Sequence, residues 1–144
     1  MREIVFDTET TGLDPASDRI IEIGCVELNN GVPTGATYET RLDPGRALSP
    51  EIVKLTGLTD EDLRGQPAFD AVAEALLAFI GDATLVAHNA EFDRAFLNAE
   101  LARCGRGPIA PSRCIDTRAL ALRALPGAGG SLNALCRSFK DHIC

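Results

Sequence analysis

Two acids, Asp7 and Glu9, stand two residues apart in the segment Glu3-Ile-Val-Phe-Asp-Thr-Glu9. On an extended chain, residues two apart project from the same face, so these carboxylates converge on one spot. Two like charges held that close raise each other's proton affinity unless a cation lies between them. A hard divalent ion such as Mg²⁺ or Mn²⁺ is the natural occupant, because it prefers carboxylate oxygens. The same Asp-x-Glu spacing also ends many strands at a surface with no chemical role.

A second cluster is His88-Asn-Ala-Glu-Phe-Asp93. A polar His-Asn turn after an apolar run, followed by an acid where a helix begins, places Asp93 beside Asp7 if the strands before each are neighbours. An acid in a first helical turn also stabilises the helix dipole by about 0.3–1 kcal/mol with no catalytic part. His88 reads equally as a satisfied core histidine, and Phe92 as partly core. Asp116, after the apolar pair Cys114-Ile115, reads as a turn or cap aspartate ahead of Thr117. Glu22, Glu27 and Asp60–Asp62 are assigned to solvated faces. Neither a Ser/His/Asp ordering nor a G-x-x-x-x-G-K phosphate loop is present, and no histidine context selects a cysteine nucleophile.

These acids need elements to hold them. Residues 3–7 form a short apolar run, expected to be a buried strand that ends at the acid pair. Gly12 and Asp14-Pro15 punctuate the turn-rich stretch that follows. Residues 20–28 alternate as a strand, and Asn30-Gly31 marks a hairpin into a third strand near 36–42. Ser49-Pro50-Glu51 reads as a helix start that ends near Gly57, and Thr59-Asp60-Glu61-Asp62 as another start with a capping box. A helix over 68–80 carries Phe69, Val72, Leu76 and Phe79 at helical spacing, with Gly81 at its stop. A fourth strand is expected at 84–87, and a helix from about Glu91 to Cys104 with the stripe Phe92, Ala95, Phe96 and Ala99. A fifth strand follows at 113–117, then a helix at 118–124, a loop at 126–130 and a last helix from Leu132. The sum is one α/β domain spanning 1–144, with a mixed sheet and helices packed on it.

Composition narrows the class. The chain has 144 residues, 45% hydrophobic and 24% charged, as in an ordinary globular domain. No run approaches the ~18 apolar residues of a membrane span, and Met1-Arg-Glu-Ile-Val opens without a secretory pattern, so a cytoplasmic address and no membrane association are expected. Five cysteines with no CxxC pair argue for reduced thiols rather than a disulfide framework or zinc site. A net charge of −7 opposes tight, sequence-independent binding along a nucleic-acid backbone, which rests on Lys and Arg. It leaves room for an enzyme that grips a few terminal phosphates through metal ions.

Taken in order, Phe6-Asp-Thr-Glu-Thr-Thr-Gly12, Arg19-Ile-Ile-Glu-Ile-Gly-Cys-Val-Glu-Leu28, Leu55-Thr-Gly-Leu-Thr-Asp60 and Leu85-Val-Ala-His-Asn-Ala-Glu-Phe-Asp93 resemble the exonuclease superfamily named for four acids, Asp-Glu-Asp-Asp. The likeness is strongest to the branch containing the epsilon (proofreading) subunits of bacterial DNA polymerase III, and it runs from residue 3 to about residue 139. The resemblance implies a ribonuclease H-like fold, a five-stranded mixed sheet flanked by helices. It implies that Asp7, Glu9 and Asp93 are catalytic metal ligands. It places Thr8, Thr10, Gly12, Leu13, His88, Asn89 and Phe92 around a 3′-terminal nucleotide, and makes Asp116 structural. The implied chemistry uses two divalent ions, Mg²⁺ or Mn²⁺, about 3.5–4 Å apart, steadying the attacking and leaving oxygens at phosphorus. The implied substrates are single-stranded or frayed 3′ ends, DNA more than RNA, and the implied partner is a DNA polymerase subunit. An RNA-trimming relative and a non-catalytic docking module are the alternative readings.

The family's third motif, His-x-x-x-x-Asp, supplies a general base and a fourth acid. It is expected after Leu132-Asn-Ala-Leu-Cys136, and the chain as given reaches Cys144 with His142 and Asp141 out of register. The expectation is a domain clipped before that motif, or a homologue that lost catalysis. The 144-residue chain is therefore predicted to release little nucleotide from 3′-labelled single-stranded DNA in Mg²⁺. Robust release that disappears in Asp7→Ala would overturn this.

Overall fold

The computed structural model describes residues 1–117. The helices expected at 118–124 and from Leu132, the loop at 126–130, and Asp141 and His142 lie outside the described residues. Five strands form one sheet: β1 (Arg2–Thr10), β2 (Ile20–Asn29), β3 (Val32–Arg41), β4 (Thr84–Ala87) and β5 (Cys114–Asp116). Their order is β3-β2-β1-β4-β5. The first three are an antiparallel meander, and β4 and β5 join parallel to β1, so the sheet is mixed as expected.

Local chemistry explains most boundaries. Asn30 and Gly31 both have positive φ (52° and 81°), the left-handed pair that a two-residue hairpin demands. The third strand begins at Val32, immediately after that turn and earlier than the expected 36. Helix α1 (Pro50–Thr56) starts from Ser49, whose side chain accepts from the Ile52 amide, and ends at Gly57 in the left-handed region. Helix α2 (Asp60–Leu63) carries the capping box between Thr59 and Asp62. Helices α3 (Phe69–Ile80) and α4 (Ala90–Arg103) follow, and a 3₁₀ turn (Pro111–Arg113) leads into β5.

The main core lies between one face of the sheet and the long helices. Ile4 and Phe6 of β1, Ile23 and Cys25 of β2, and Leu85 and Ala87 of β4 meet Phe69, Leu76 and Ile80 of α3 and Phe96, Leu97 and Leu101 of α4. A register shift between Glu9 and Thr10 leaves Ile21 as an extra residue on β2, where it joins a second cluster with Leu48, Leu58 and Leu63.

Three sequence expectations are corrected here. β1 is longer than the expected 3–7, although the acid pair does lie at its carboxyl end. It runs on to Thr10 because β2 continues to pair with it, Asp7 opposite Gly24 and Glu9 opposite Glu22. In α3, Ala73 and Ile80 are buried beside Phe69 and Leu76, while Val72 and Phe79 sit at the margin. In α4 the inward stripe is Ala90, Asp93, Phe96, Leu97, Glu100 and Leu101; Phe96 is inward as expected, whereas Phe92, Ala95 and Ala99 lie at its margin. Hydrophobicity alone misplaced that face, because two of its residues are acids.

Phe96 is fully buried at the centre of the α4–sheet contact. Phe96→Ala is expected to destabilise the fold by about 3–5 kcal/mol, read from the urea unfolding midpoint.

Candidate active site

β1 is paired unequally on its two sides. β2 accompanies it along the full ladder, whereas β4 pairs with it only from Glu3 to Val5. Beyond Val5, the chain of β4 turns away into α4. Asp7 and Glu9 therefore extend past the parallel pairing, at the carboxyl ends of β1, β4 and β5, where open α/β sheets place their ligand crevices.

Alternation sorts the residues of this segment. Ile4, Phe6, Thr8 and Thr10 are buried on the helix side, while Val5, Asp7 and Glu9 project from the other. Asp7 is exposed and Glu9 half-buried. Asp93 comes from the first turn of α4 and is only 4% exposed. The Thr8 hydroxyl donates to its Oδ1 at 2.5 Å, which ties the helix N-terminus to β1.

The three acids form one electrostatic unit. Desolvation raises the Asp7 carboxyl, partly offset by the Thr8 amide and by His88, with Glu22 raising it further. Glu9 is raised by desolvation, then by Asp7 and Glu22. Asp93 is pushed up to about 7, chiefly by burial, against the bond from Thr8 and reinforced by Asp7, Glu9 and Asp116. Among the described residues, no arginine or lysine ion pair neutralises any of the three.

The remaining predicted residues surround this unit. The Thr10 hydroxyl donates to the Gly12 carbonyl. Gly12 packs against Asp18 so closely that a Cβ there would lie 2.3 Å from Oδ2, so a side chain at this position would have to displace the Asp18 carboxylate. Leu13 is 83% exposed on the same loop. His88 is half-buried, and Asn89 is exposed with φ 62°. Phe92 is half-buried and its ring lies 4.9 Å from that of Phe96. Asp116 accepts from the Asn89 amide at 2.9 Å, holding β5 against the left-handed turn that launches α4. A structural part for Asp116 fits that bond.

Sequence reasoning missed two residues near the acids. Glu22, assigned to a solvated face, is half-buried directly across from Glu9 and pairs with Arg41 at 3.2 Å. Glu100, buried to 1% exposure, receives Arg19 and Arg103. Its signal was available: it lies seven residues after Asp93, two helical turns along the same face.

The donor set suits a divalent cation. All three groups are hard carboxylate oxygens, and each is held toward its protonated form by burial or by the others. Among the described residues, no three Asp, Glu, His or Cys side chains stand close enough together to hold a metal ion.

The sign of the pH dependence follows from Asp93. Its folded value, about 7, lies above the unfolded aspartate value of about 3.9, so the folded state holds the proton more tightly. Stability without metal is therefore greatest below about pH 4 for this group and declines as pH rises toward about 7. Urea midpoints measured in EDTA across that range are expected to show the decline, and Asp93→Asn to flatten it.

Comparison with known proteins places the architecture. The family model described as Exonuclease matches residues 4–144. DNA polymerase III subunit epsilon of Rickettsia typhi (strain ATCC VR-144 / Wilmington) is 45% identical over 144 residues, which cover 97% of this chain and 63% of that protein. The chain thus spans less than two thirds of the length of that relative. Among solved structures, exonuclease X in complex with 5′ overhanging duplex DNA superposes with a TM-score of 0.72 at 28% identity, covering 96% of this chain and 73% of that one. Apo exonuclease I superposes with a TM-score of 0.81 at 18% identity, covering 94% and 36%, which shows a shared ribonuclease H-like fold. With a family model spanning nearly the whole chain and such identity to a relative, the chain belongs to the exonuclease family.

Proposed function

We propose that this chain is the exonuclease domain of a metal-dependent 3′→5′ DNA exonuclease, working in proofreading or repair with a DNA polymerase subunit as partner. The observation that carries the reading is that Asp93 is bonded by Thr8, the residue between Asp7 and Glu9, just beyond the β1–β4 pairing, and that among the described residues no arginine or lysine forms an ion pair with any of the three acids. The names of the relatives, a polymerase subunit and exonucleases, favour DNA as substrate.

Asp7, Glu9 and Asp93 would hold the divalent ions. When bound, such ions activate water and stabilise charge at phosphorus and on the leaving 3′ oxygen. The chain's own residues do the positioning. Thr8 orients the Asp93 carboxyl, and Asp116 fixes the turn at Asn89. Leu13, exposed on the loop after β1, would offer an apolar surface to a terminal base, while Phe92 packs against the core beside Phe96. The implied product is a nucleoside 5′-monophosphate.

Mn²⁺ titration by calorimetry tests the site directly. Binding is expected to be proton-releasing, because the carboxyls must ionise to ligate, and to weaken by more than about tenfold in Asp7→Ala and Asp93→Ala. With the full-length protein, Mn²⁺-dependent release of mononucleotides from 3′-labelled single-stranded DNA is expected to exceed that from the matching RNA and to vanish in Asp7→Ala. Absence of Mn²⁺ binding, or activity that survives Asp7→Ala, would overturn the reading.

A further inference from the structure

The loop between β1 and β2 carries Thr11, Gly12 and Leu13 and closes on itself. The Thr11 amide donates to the Arg19 carbonyl, the Arg19 amide to the Thr11 hydroxyl, and the Thr11 hydroxyl to Asp18 Oδ1. The Asp14 amide donates to Asp18 Oδ2, and Arg46 reaches Asp18 at 3.8 Å. The ring is preorganised but lies on the surface, so its place relative to the acids depends on what anchors it.

The anchor is Glu100. Its carboxylate accepts from Arg19 Nε at 3.0 Å on both oxygens, from the Ile20 amide at 3.0 Å, and from Arg103 at 3.0 Å. Arg103 then donates to the carbonyls of Pro15 at 2.9 Å and Ala16 at 3.3 Å, on the far side of the same loop. A buried carboxylate with this many charge-assisted donors has one geometry available, because any lost partner leaves a desolvated charge. Asp93 sits two turns earlier on the same helix face and is locked to Thr8. One rigid helix thus sets both the third acid and the loop.

We infer that Glu100 is a positioning residue for the 3′ terminus: through Arg19 and Arg103 it fixes the 11–19 loop against helix α4, and so fixes where the terminal nucleotide lies relative to Asp93. This rests on the proposed exonuclease reading and extends it to residues outside the acid site. The chemistry needs this coupling because small misplacements of a reacting group are costly. Arg103, whose side chain is 31% exposed, removes half of the anchor when truncated while leaving the Arg19–Glu100 pair and the core intact.

The test compares two affinities in the parent chain, Arg103→Ala and Glu100→Gln. One is that of Mn²⁺ alone, by calorimetry. The other is that of a 5′-fluorescein single-stranded oligothymidylate with a free 3′ end, by anisotropy in Ca²⁺. Arg103→Ala is expected to weaken oligonucleotide binding about tenfold while Mn²⁺ affinity stays within about twofold, since misplacement acts on the nucleotide and not on the acids. Glu100→Gln is expected to act in the same direction and more strongly. A purely structural role would move both affinities together, and that result overturns the inference, as does unchanged oligonucleotide binding in Arg103→Ala. A parent chain that binds no Mn²⁺ overturns the exonuclease reading instead. Because Arg103 lies at the surface, its variant keeps the question answerable if Glu100→Gln fails to fold.

Discussion

The organisation of this molecule depends on how helix α4 buries two acids against the sheet. Asp93 and Glu100 share the face that also carries Phe96, Leu97 and Leu101 into the core. Burying a carboxylate is costly unless it is paired and hydrogen-bonded. Each acid meets that demand differently. Among the described residues, Glu100 receives two arginines and a main-chain amide, whereas Asp93 receives one hydroxyl from Thr8. Glu100 is thereby a satisfied anchor, and Asp93 is left with a raised proton affinity and a capacity for a further partner.

That contrast divides the helix into a structural end and a chemical end. Between the two acids, Phe96 and Leu97 pack into the core, and the hydrogen bonds of Asp93 and Glu100 fix the rotation of the helix about its axis. The arrangement is therefore specific as well as stable, and it aims the N-terminal turn at the strand that bears Asp7 and Glu9.

The second constraint is the unequal pairing of β1. Its antiparallel partner β2 holds the backbone straight through Asp7 and Glu9, keeping both side chains on one face. Its parallel partner β4 stops early, and the chain there turns through Asn89 into α4 under the hold of Asp116. A crevice results where strand ends, a helix start and a preorganised loop meet. Burial first, and neighbouring acids second, raise the proton affinity of Asp7, Glu9 and Asp93, which is the electrostatic condition a divalent cation relieves.

Much of this was legible from residue order. The DxE spacing, the His-Asn turn before Asp93, the Asn-Gly hairpin and the Ser49 and Thr59 caps are local signals, set by backbone conformation within a few residues, and each recurs in the structure where the sequence placed it. The length of β1, the Glu9–Glu22 opposition and the Arg19–Glu100–Arg103 anchor were not legible. Each depends on a partner distant in the chain: β2 extends β1, and Arg19 makes a buried Glu100 tolerable across 81 positions. A carboxylate reads as solvent-facing by its own chemistry, and only the tertiary structure supplies the cation or hydroxyl that reverses that preference. The sequence by itself determined which acids are present and on which local elements they ride. The tertiary structure decided which of them are satisfied and which remain available, because that depends on contacts no local pattern encodes.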